Sequence, residues 1–179
     1  MPYSSESIAR VTPFWRASFG SGIGIFALAA RRSNSVRSLR RLCNCSSTTD
    51  GIHWTKYNDT ETTDEQFAES DPVFIQDADW EHNKVDRPRV VKSPDEWVMI
   101  YQAGTSVEMR GLVISNDGIQ WEKYPENPIF NKDVFPIPNA KTWDTNLLHH
   151  DGVYYYFMEP GTLGGTDLYL TTHQGSLRQ

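Results

Sequence analysis

The sequence has only two cysteines and no long apolar run. Cys43 and Cys45 stand two residues apart, which is too close for an easy disulfide and too few thiols for a closed zinc site. No stretch approaches the roughly 18 consecutive apolar residues of a membrane-spanning helix. The formal net charge of −6 disfavours the phosphate backbone of nucleic acid as a partner. We therefore predict no metal, no cofactor, no membrane contact and no nucleic-acid partner, and a structurally idle cysteine pair.

Lysine is absent from the first 45 residues. Seven arginines and a single acid, Glu6, give that part a net charge of +6. Residues 46–179 contain ten Lys plus Arg and 22 Asp plus Glu, for a net charge of −12. A step of this size separates regions of different character. We predict a basic N-terminal segment over residues 1–45 and a folded domain over residues 46–179.

The basic segment contains a short apolar run at residues 19–30 (FGSGIGIFALAA). Arg10 and Arg16 precede it, and Ala27-Leu28-Ala29 resembles a small-residue cleavage site, so the segment has the outline of a secretory signal. Secretion follows only if residues 1–30 act as that signal, and localisation is otherwise open. Two alternatives remain: a disordered basic segment, or a stretch that is not the native partner of the rest.

An eight-residue phrase occurs twice in the acidic part. Residues 50–57 (DGIHWTKY) return as residues 117–124 (DGIQWEKY) with six matching positions and an offset of 67. A fixed long period indicates a repeated supersecondary unit. Trp54 and Trp121 occupy matched positions, which favours packing between units over ligand binding for both side chains.

The region around the second phrase predicts four strands. Apolar or alternating runs at residues 88–91, 97–101, 112–114 and 121–124 are separated by turn-forming residues. Residues 147–172 repeat the first three runs, and residues 50–57 provide the end of an earlier unit. Four antiparallel strands with short turns form one propeller blade, and a closed propeller has at least about four blades. We predict an all-β chain with two to three antiparallel four-stranded blades, and self-association through the exposed sheet edges.

Residues 111–130 (GLVISNDGIQWEKYPENPIF) resemble the blades of the five-bladed propeller glycosidases of glycoside hydrolase families 32, 43, 62 and 68. The resemblance covers residues 47–179 and implies an incomplete five-bladed β-propeller. It implies carbohydrate as the partner, and hydrolysis of plant- or microbe-derived arabinosides, xylosides or fructosides. In these families the catalytic groups are carboxylates around the central funnel.

The same resemblance places the candidate catalytic acids. Asp86-Arg87-Pro88 stands where the family has Arg-Asp-Pro, and Trp143-Asp144 stands where it has Trp-Glu. The base or nucleophile of the first blade has no match before Ser46, so the site is incomplete in this chain. The candidate catalytic residues are Asp86, Asp144 and Glu159, and the candidate substrate contacts are Trp143, Arg87 and Trp80.

A plainer interpretation stands beside the catalytic one. Asp86 and Asp144 would only cap strand starts and pair with Arg87 or Arg89. In that case the chain is a non-catalytic carbohydrate-binding propeller or an inactive fragment. His149 and His150 precede a turn and are predicted to lie on the surface without a metal.

Overall fold

The computed structural model describes residues 9–10, 25–32, 41–50, 52–59, 71–82, 85–104, 108–131, 141–162 and 165–178. Within these ranges all regular structure is β, apart from one 3₁₀ turn at Asp79–Glu81. The described residues contain no helix that is long and apolar enough to cross a membrane. The strands form three sheets in which every pairing is antiparallel.

The first strand of the chain, β1 (Ala9–Arg10), belongs to the last sheet. The first sheet is built around β3, which pairs with β2 on one side and with both β4 and β5 on the other. Its strands are β2 (Ile25–Arg32), β3 (Arg41–Thr48), β4 (Thr55–Lys56) and β5 (Pro72–Ile75).

The middle sheet is a simple meander in which each strand pairs with the next. All seven residues of its second strand and six of seven in its third are buried, as expected for strands covered on both faces. Its strands are β6 (Val85–Lys92), β7 (Trp97–Ala103), β8 (Met109–Ser115) and β9 (Trp121–Lys123).

The last sheet begins as the same meander and has the order β10-β11-β13-β1, with β12 paired to β11. No strand after β13 occupies the fourth position within the described residues; Ala9–Arg10 pairs there with Tyr169 and Leu170. The strands are β10 (Lys141–His150), β11 (Val153–Thr162), β12 (Gly165–Thr166) and β13 (Tyr169–Gln174). The prediction of an all-β chain with antiparallel four-stranded blades is confirmed.

The middle sheet packs against a neighbour on each face. Alternate residues of a strand point to opposite faces, so β7 contributes to two cores. One core joins it to Phe74 of the first sheet, and the other joins it to Tyr154, Tyr156 and Met158 of the last. The side chains of β7 and β8 facing the first sheet are Met99, Tyr101, Ala103 and Val113, and those facing the last are Val98, Ile100, Leu112 and Ile114.

The two copies of the repeated phrase fold in the same way. Asp117 Oδ1 accepts backbone N–H bonds from Ile119 and Gln120 at 2.7 and 2.8 Å. Asp50 Oδ1 accepts the corresponding bonds 67 residues earlier, from Ile52 and His53, both at 2.8 Å. Each aspartate also accepts a 2.9 Å bond from a hydroxyl two residues before it, and each turn leads into the outer strand of its sheet.

The predicted division at residues 45 and 46 stays a prediction. Of the basic segment, the structure describes residues 9–10, 25–32 and 41–45, all of them in strands. β3 runs across the predicted boundary without a break. Residues 1–8, 11–24 and 33–40, which carry much of the signal-like pattern, lie outside the described residues.

Candidate functional site

The site is built where the first strands of the middle and last sheets meet. β6 and β10 are each the edge strand of their own sheet, and they contact each other. β2, the corresponding edge of the first sheet, also contacts β6. Three blade edges therefore converge, as they do around the central channel of a propeller. An ion pair crosses between two of them, with Arg89 Nη2 lying 3.4 Å from Asp144 Oδ1.

A β-bulge orients the acid of β6. Asp86 pairs with Gln102 and Arg89 pairs with Ile100, so Arg87 and Pro88 together stand opposite a single residue of β7. Arg87 has a φ of 47°, in the left-handed region that non-glycine residues rarely adopt. In a regular strand, residues three apart point to opposite faces. The bulge instead places Asp86 and Arg89 on the same face, the one directed at the last sheet.

A second bulge lies beside the acid of β10. Thr142 pairs with Pro160 and Asp144 pairs with Glu159, so Trp143 is the extra residue. Asp144 and Glu159 are thus direct cross-strand partners, and such partners share a face with Cβ atoms about 4.5–5.5 Å apart. Two of the three predicted acids are brought together in one sheet, and the third, Asp86, lies on the neighbouring blade edge.

The two aspartates already have partners within the chain. Asp144 is exposed, accepts a 2.8 Å bond from the Thr145 backbone N–H and faces the Arg89 guanidinium. Asp86 is half-buried and accepts a 2.9 Å bond from the Arg87 backbone N–H. These contacts correspond to the plainer interpretation of the sequence, in which the aspartates cap strand starts and pair with arginine.

Sequence reasoning missed Arg110, which lies below this surface. Its side chain is buried opposite Gln102, and its charge interacts with Tyr156, Glu108, Arg87 and Asp144. Desolvation lowers the pKa of Arg110, and the acidic neighbours partly offset that effect. The signal available was a charged residue within the otherwise apolar run of β8.

Two uncharged polar side chains share the same buried layer. Burial raises the pKa of the Tyr156 hydroxyl, while Arg110 and Thr145 act in the opposite direction. Gln102 is 1% exposed, and its amide oxygen and nitrogen have no hydrogen-bond partner among the described residues. The layer therefore joins polar groups of the middle and last sheets beneath the acids.

The predicted substrate contacts are spread over different surroundings. Arg87 is exposed at the bulge of β6, next to Asp86. Trp80 packs against the Tyr101 ring at a centroid distance of 5.9 Å, in the core between the first and middle sheets. Trp143 lies in β10 by its backbone, and its side chain falls outside the described part. As sugar contacts, all three stay predictions.

The described residues contain no group of three or more His, Cys, Asp or Glu that could hold a metal ion. His149 packs against the Tyr154 ring at 4.6 Å, and His150 lies 3.3 Å from the neighbouring Asp151 carboxylate. The Cys45 thiol is free and buried, and burial raises its pKa to about 11. A thiol with that pKa is almost entirely protonated near neutral pH and is a poor nucleophile.

Solved structures with the same fold are glycosidases and related carbohydrate-active enzymes. A thermostable family-43 glycoside hydrolase matches 84% of this chain over 49% of its own, with 15% identity and a TM-score of 0.56. The Bombyx mori GH32 beta-fructofuranosidase BmSUC1 matches 74% of this chain over 26% of its own, with 16% identity and a TM-score of 0.52. An N-acetylgalactosamine deacetylase from F. plautii, in complex with blood group B trisaccharide, matches 84% over 46%, with 13% identity and a TM-score of 0.55.

These likenesses establish the fold. The predicted resemblance to the five-bladed propeller glycosidases is confirmed at that level, and the chain is an incomplete propeller of this type. It spans less than half the length of each of these three structures. No protein-family model and no curated protein sequence matches it.

Proposed function

We propose that this chain is a glycoside hydrolase-like protein that binds carbohydrate where β6 and β10 converge. The observation that carries the proposal is the cross-strand pair Asp144 and Glu159, at a blade edge of a fold shared with glycoside hydrolases. Asp86 and Arg89 lie on the adjoining edge and face the last sheet. Carboxylates and guanidinium groups are suitable partners for sugar hydroxyls because they accept and donate charge-assisted hydrogen bonds.

The proposed chemistry is general acid catalysis by a carboxyl group. Glycoside hydrolysis uses two carboxyl groups, about 5–5.5 Å apart in retaining enzymes and about 6.5–9.5 Å apart in inverting ones. Cross-strand neighbours are close enough for either range, depending on their side-chain rotamers. Asp144 or Glu159 would protonate the glycosidic oxygen, and Asp86 would favour the protonated form of that acid by its negative charge.

The proposed catalytic set is incomplete in this chain. Glycosidases of this type have a further carboxylate in the first blade, and residues 46–179 contain no match for it. We propose arabinosides, xylosides and fructosides of plant or microbial origin as the substrate class. These are the sugars that the resemblance implies for residues 47–179.

A non-catalytic carbohydrate-binding protein or an inactive fragment is the second candidate. The Arg89–Asp144 ion pair favours it, because an acid held by a cation is poorly placed to donate a proton. The order Asp86-Arg87-Pro88 favours it as well, since an arginine stands at the position where the resemblance implies a carboxylate.

The test combines binding and turnover on the same variants. The purified chain is titrated with aryl arabinosides, xylosides and fructosides in a calorimeter and is assayed for release of the aryl group. Asp144→Asn and Glu159→Gln keep the side-chain shape and remove the acid. Asp151→Asn is the matched control, because Asp151 is an exposed acid of the same sheet in the β10–β11 turn.

Turnover that Asp144→Asn or Glu159→Gln abolishes, while Asp151→Asn retains it, supports the hydrolase. Saturable binding without turnover, weakened by the same two variants, supports the binding protein. Absence of both binding and turnover on all three sugars overturns the proposed function in either form.

A further inference from the structure

The exposed large apolar side chains of the described residues all lie on the two end sheets. Ile52, Trp54 and Ile75 of the first sheet are 76%, 42% and 40% exposed, and Leu148 of the last sheet is 50% exposed. The middle sheet, which is covered on both sides, contributes none to this set. Clustered exposed apolar side chains mark interaction surfaces more often than scattered ones do.

The exposed residues of the first sheet point away from the middle sheet. Phe74 packs into the core with the middle sheet, so its neighbour Ile75 faces the other way along β5. Trp121 of the middle sheet packs towards the first sheet, the preceding one in the chain. Trp54 occupies the same position 67 residues earlier, with the same turn, and therefore faces the side on which a preceding sheet would stand. We call Ile52, Trp54 and Ile75 the leading face.

The last sheet has a matching open face on its far side. Tyr154, Tyr156 and Met158 point towards the middle sheet, so the alternate residues Tyr155 and Phe157 point away from it. Leu148 pairs with Tyr155, and Leu170 pairs with Phe157, so these four share a face. We call Leu148, Tyr155, Phe157 and Leu170 the trailing face.

The chain already contains two contacts of the type that these faces would form. At each of them, the trailing side of one sheet covers the leading side of the next: first against middle, and middle against last. Trp121 shows how the conserved tryptophan packs when such a neighbour is present. We propose that the trailing face of one copy of this chain docks on the leading face of a second copy, head to tail.

This contact does not depend on the proposed function. It is heterologous, meaning that two different patches meet, and such contacts generate rings or open chains rather than isologous dimers. It also has a consequence for the site. Glu159 lies two residues beyond Phe157 and therefore on the trailing face, so the docked copy would border the Asp144–Glu159 pair.

The test uses one charge on each face. Trp54→Glu disrupts the leading face and Leu148→Glu the trailing face, and both positions are exposed enough to accept the charge without unfolding the sheet. Gln120→Glu is the control, because it adds the same charge to the equivalent turn of the middle sheet, where Gln120 is exposed. Far-UV circular dichroism checks that every variant is folded, and sedimentation equilibrium measures the mass.

The wild-type chain and Gln120→Glu are expected to exceed the 20.5 kDa monomer mass in a concentration-dependent way. Each face variant alone is expected to weaken association by at least about tenfold, because a desolvated unpaired charge is costly at an interface. An equimolar mixture of the two face variants is expected to recover a dimer, since one intact leading face and one intact trailing face remain.

Two results would overturn the proposal. One is a wild-type chain that stays monomeric up to about 100 μM, above the Kd of most specific complexes. The other is a mixture of folded face variants that stays monomeric, which would mean that any wild-type association uses different surfaces.

Discussion

The middle sheet and the two end sheets are built from the same kind of blade, yet they differ in how much of each is buried. β7 is buried along its whole length, whereas the first and last sheets each expose large apolar side chains. Trp54 and Trp121 show the difference most directly. Their turns have the same hydrogen bonds, but Trp121 packs into a core and Trp54 is 42% exposed. Local sequence therefore sets the shape of a blade, and neighbouring sheets set its burial.

The covered sheet also carries buried charge, placed at the contacts with its neighbours. Glu81, in the 3₁₀ turn between the first and middle sheets, is fully buried and accepts bonds from Lys123 Nζ at 2.8 and 2.9 Å and from Tyr101 Oη at 2.7 Å. Glu96, in the β6–β7 turn, is buried against residues 176–178 of the last sheet. Each glutamate fixes one side of the middle sheet.

The largest effect is expected from removing the cation on the first-sheet side. Lys123→Met leaves the fully buried Glu81 carboxylate without its countercharge, and such a loss costs about 3–5 kcal/mol. Urea unfolding followed by tryptophan fluorescence measures the change.

Lys56→Met is the matched control for Lys123→Met. Lys56 occupies the same repeat position 67 residues earlier but is exposed, so its loss is expected to stay within about 0.5 kcal/mol. Equal losses for the two variants would show that repeat position, and not coverage by a neighbour, determines the role of the lysine.

A smaller effect is expected on the side of the last sheet. Glu96 Oε1 accepts bonds from Tyr154 Oη at 3.1 Å and the Leu177 backbone N–H at 2.8 Å, and Oε2 accepts one from Ser176 Oγ at 3.0 Å. Glu96→Gln removes the charge that strengthens these bonds, for a loss of about 1.5–3 kcal/mol. Urea unfolding gives the loss, and amide exchange at Leu177 reports whether the contact has opened.

Glu122→Gln is the control for Glu96→Gln, because both glutamates contact Arg178. Glu122 is 75% exposed and accepts a 3.1 Å bond from Arg178 Nη1, so its removal is expected to cost at most about 1 kcal/mol. If Glu122→Gln destabilises the chain as much as Glu96→Gln, the ion pairs of Arg178 hold the last sheet, and the buried clamp does not.

The blade itself was predictable because its signals are local. The turn of Asp117 and Gly118, the dense run of β7 and the repeat at an offset of 67 each follow from neighbouring residues. The end of each sheet was not. The fourth position of the last sheet is taken by Ala9–Arg10, more than 150 residues away in sequence from Tyr169 and Leu170. β10 and β11 also extend well beyond the apolar runs that predicted them.

The candidate site divides in the same way. The resemblance pointed to Asp86, Asp144 and Glu159, and cross-strand register pairs the last two. The bulges at Arg87 and Trp143 were not predictable, because a bulge depends on the register of the partner strand. That register also decides that Asp86 shares a face with Arg89. Arg110 was missed because its role depends on burial against the last sheet.

The smallest effect is expected in the turns, and it should be the same in covered and open sheets. The backbone N–H groups of Gln120 and Ile119 lower the pKa of Asp117, and His53 is the leading cause of the lowered pKa of Asp50. A carboxyl with a lowered folded pKa contributes stability that is fully present above the unfolded value of about 4 and is lost as the pH falls below it. Asp117→Asn and Asp50→Asn should therefore each flatten the decline in the free energy of unfolding below about pH 4, measured by urea unfolding from pH 6 to pH 2. Because both carboxylates are exposed and make the same turn bonds, we expect similar changes in slope. A clearly larger change for Asp117→Asn would mean that coverage by neighbouring sheets strengthens the turn as well, and that the blade is less autonomous than its repeated hydrogen bonds indicate.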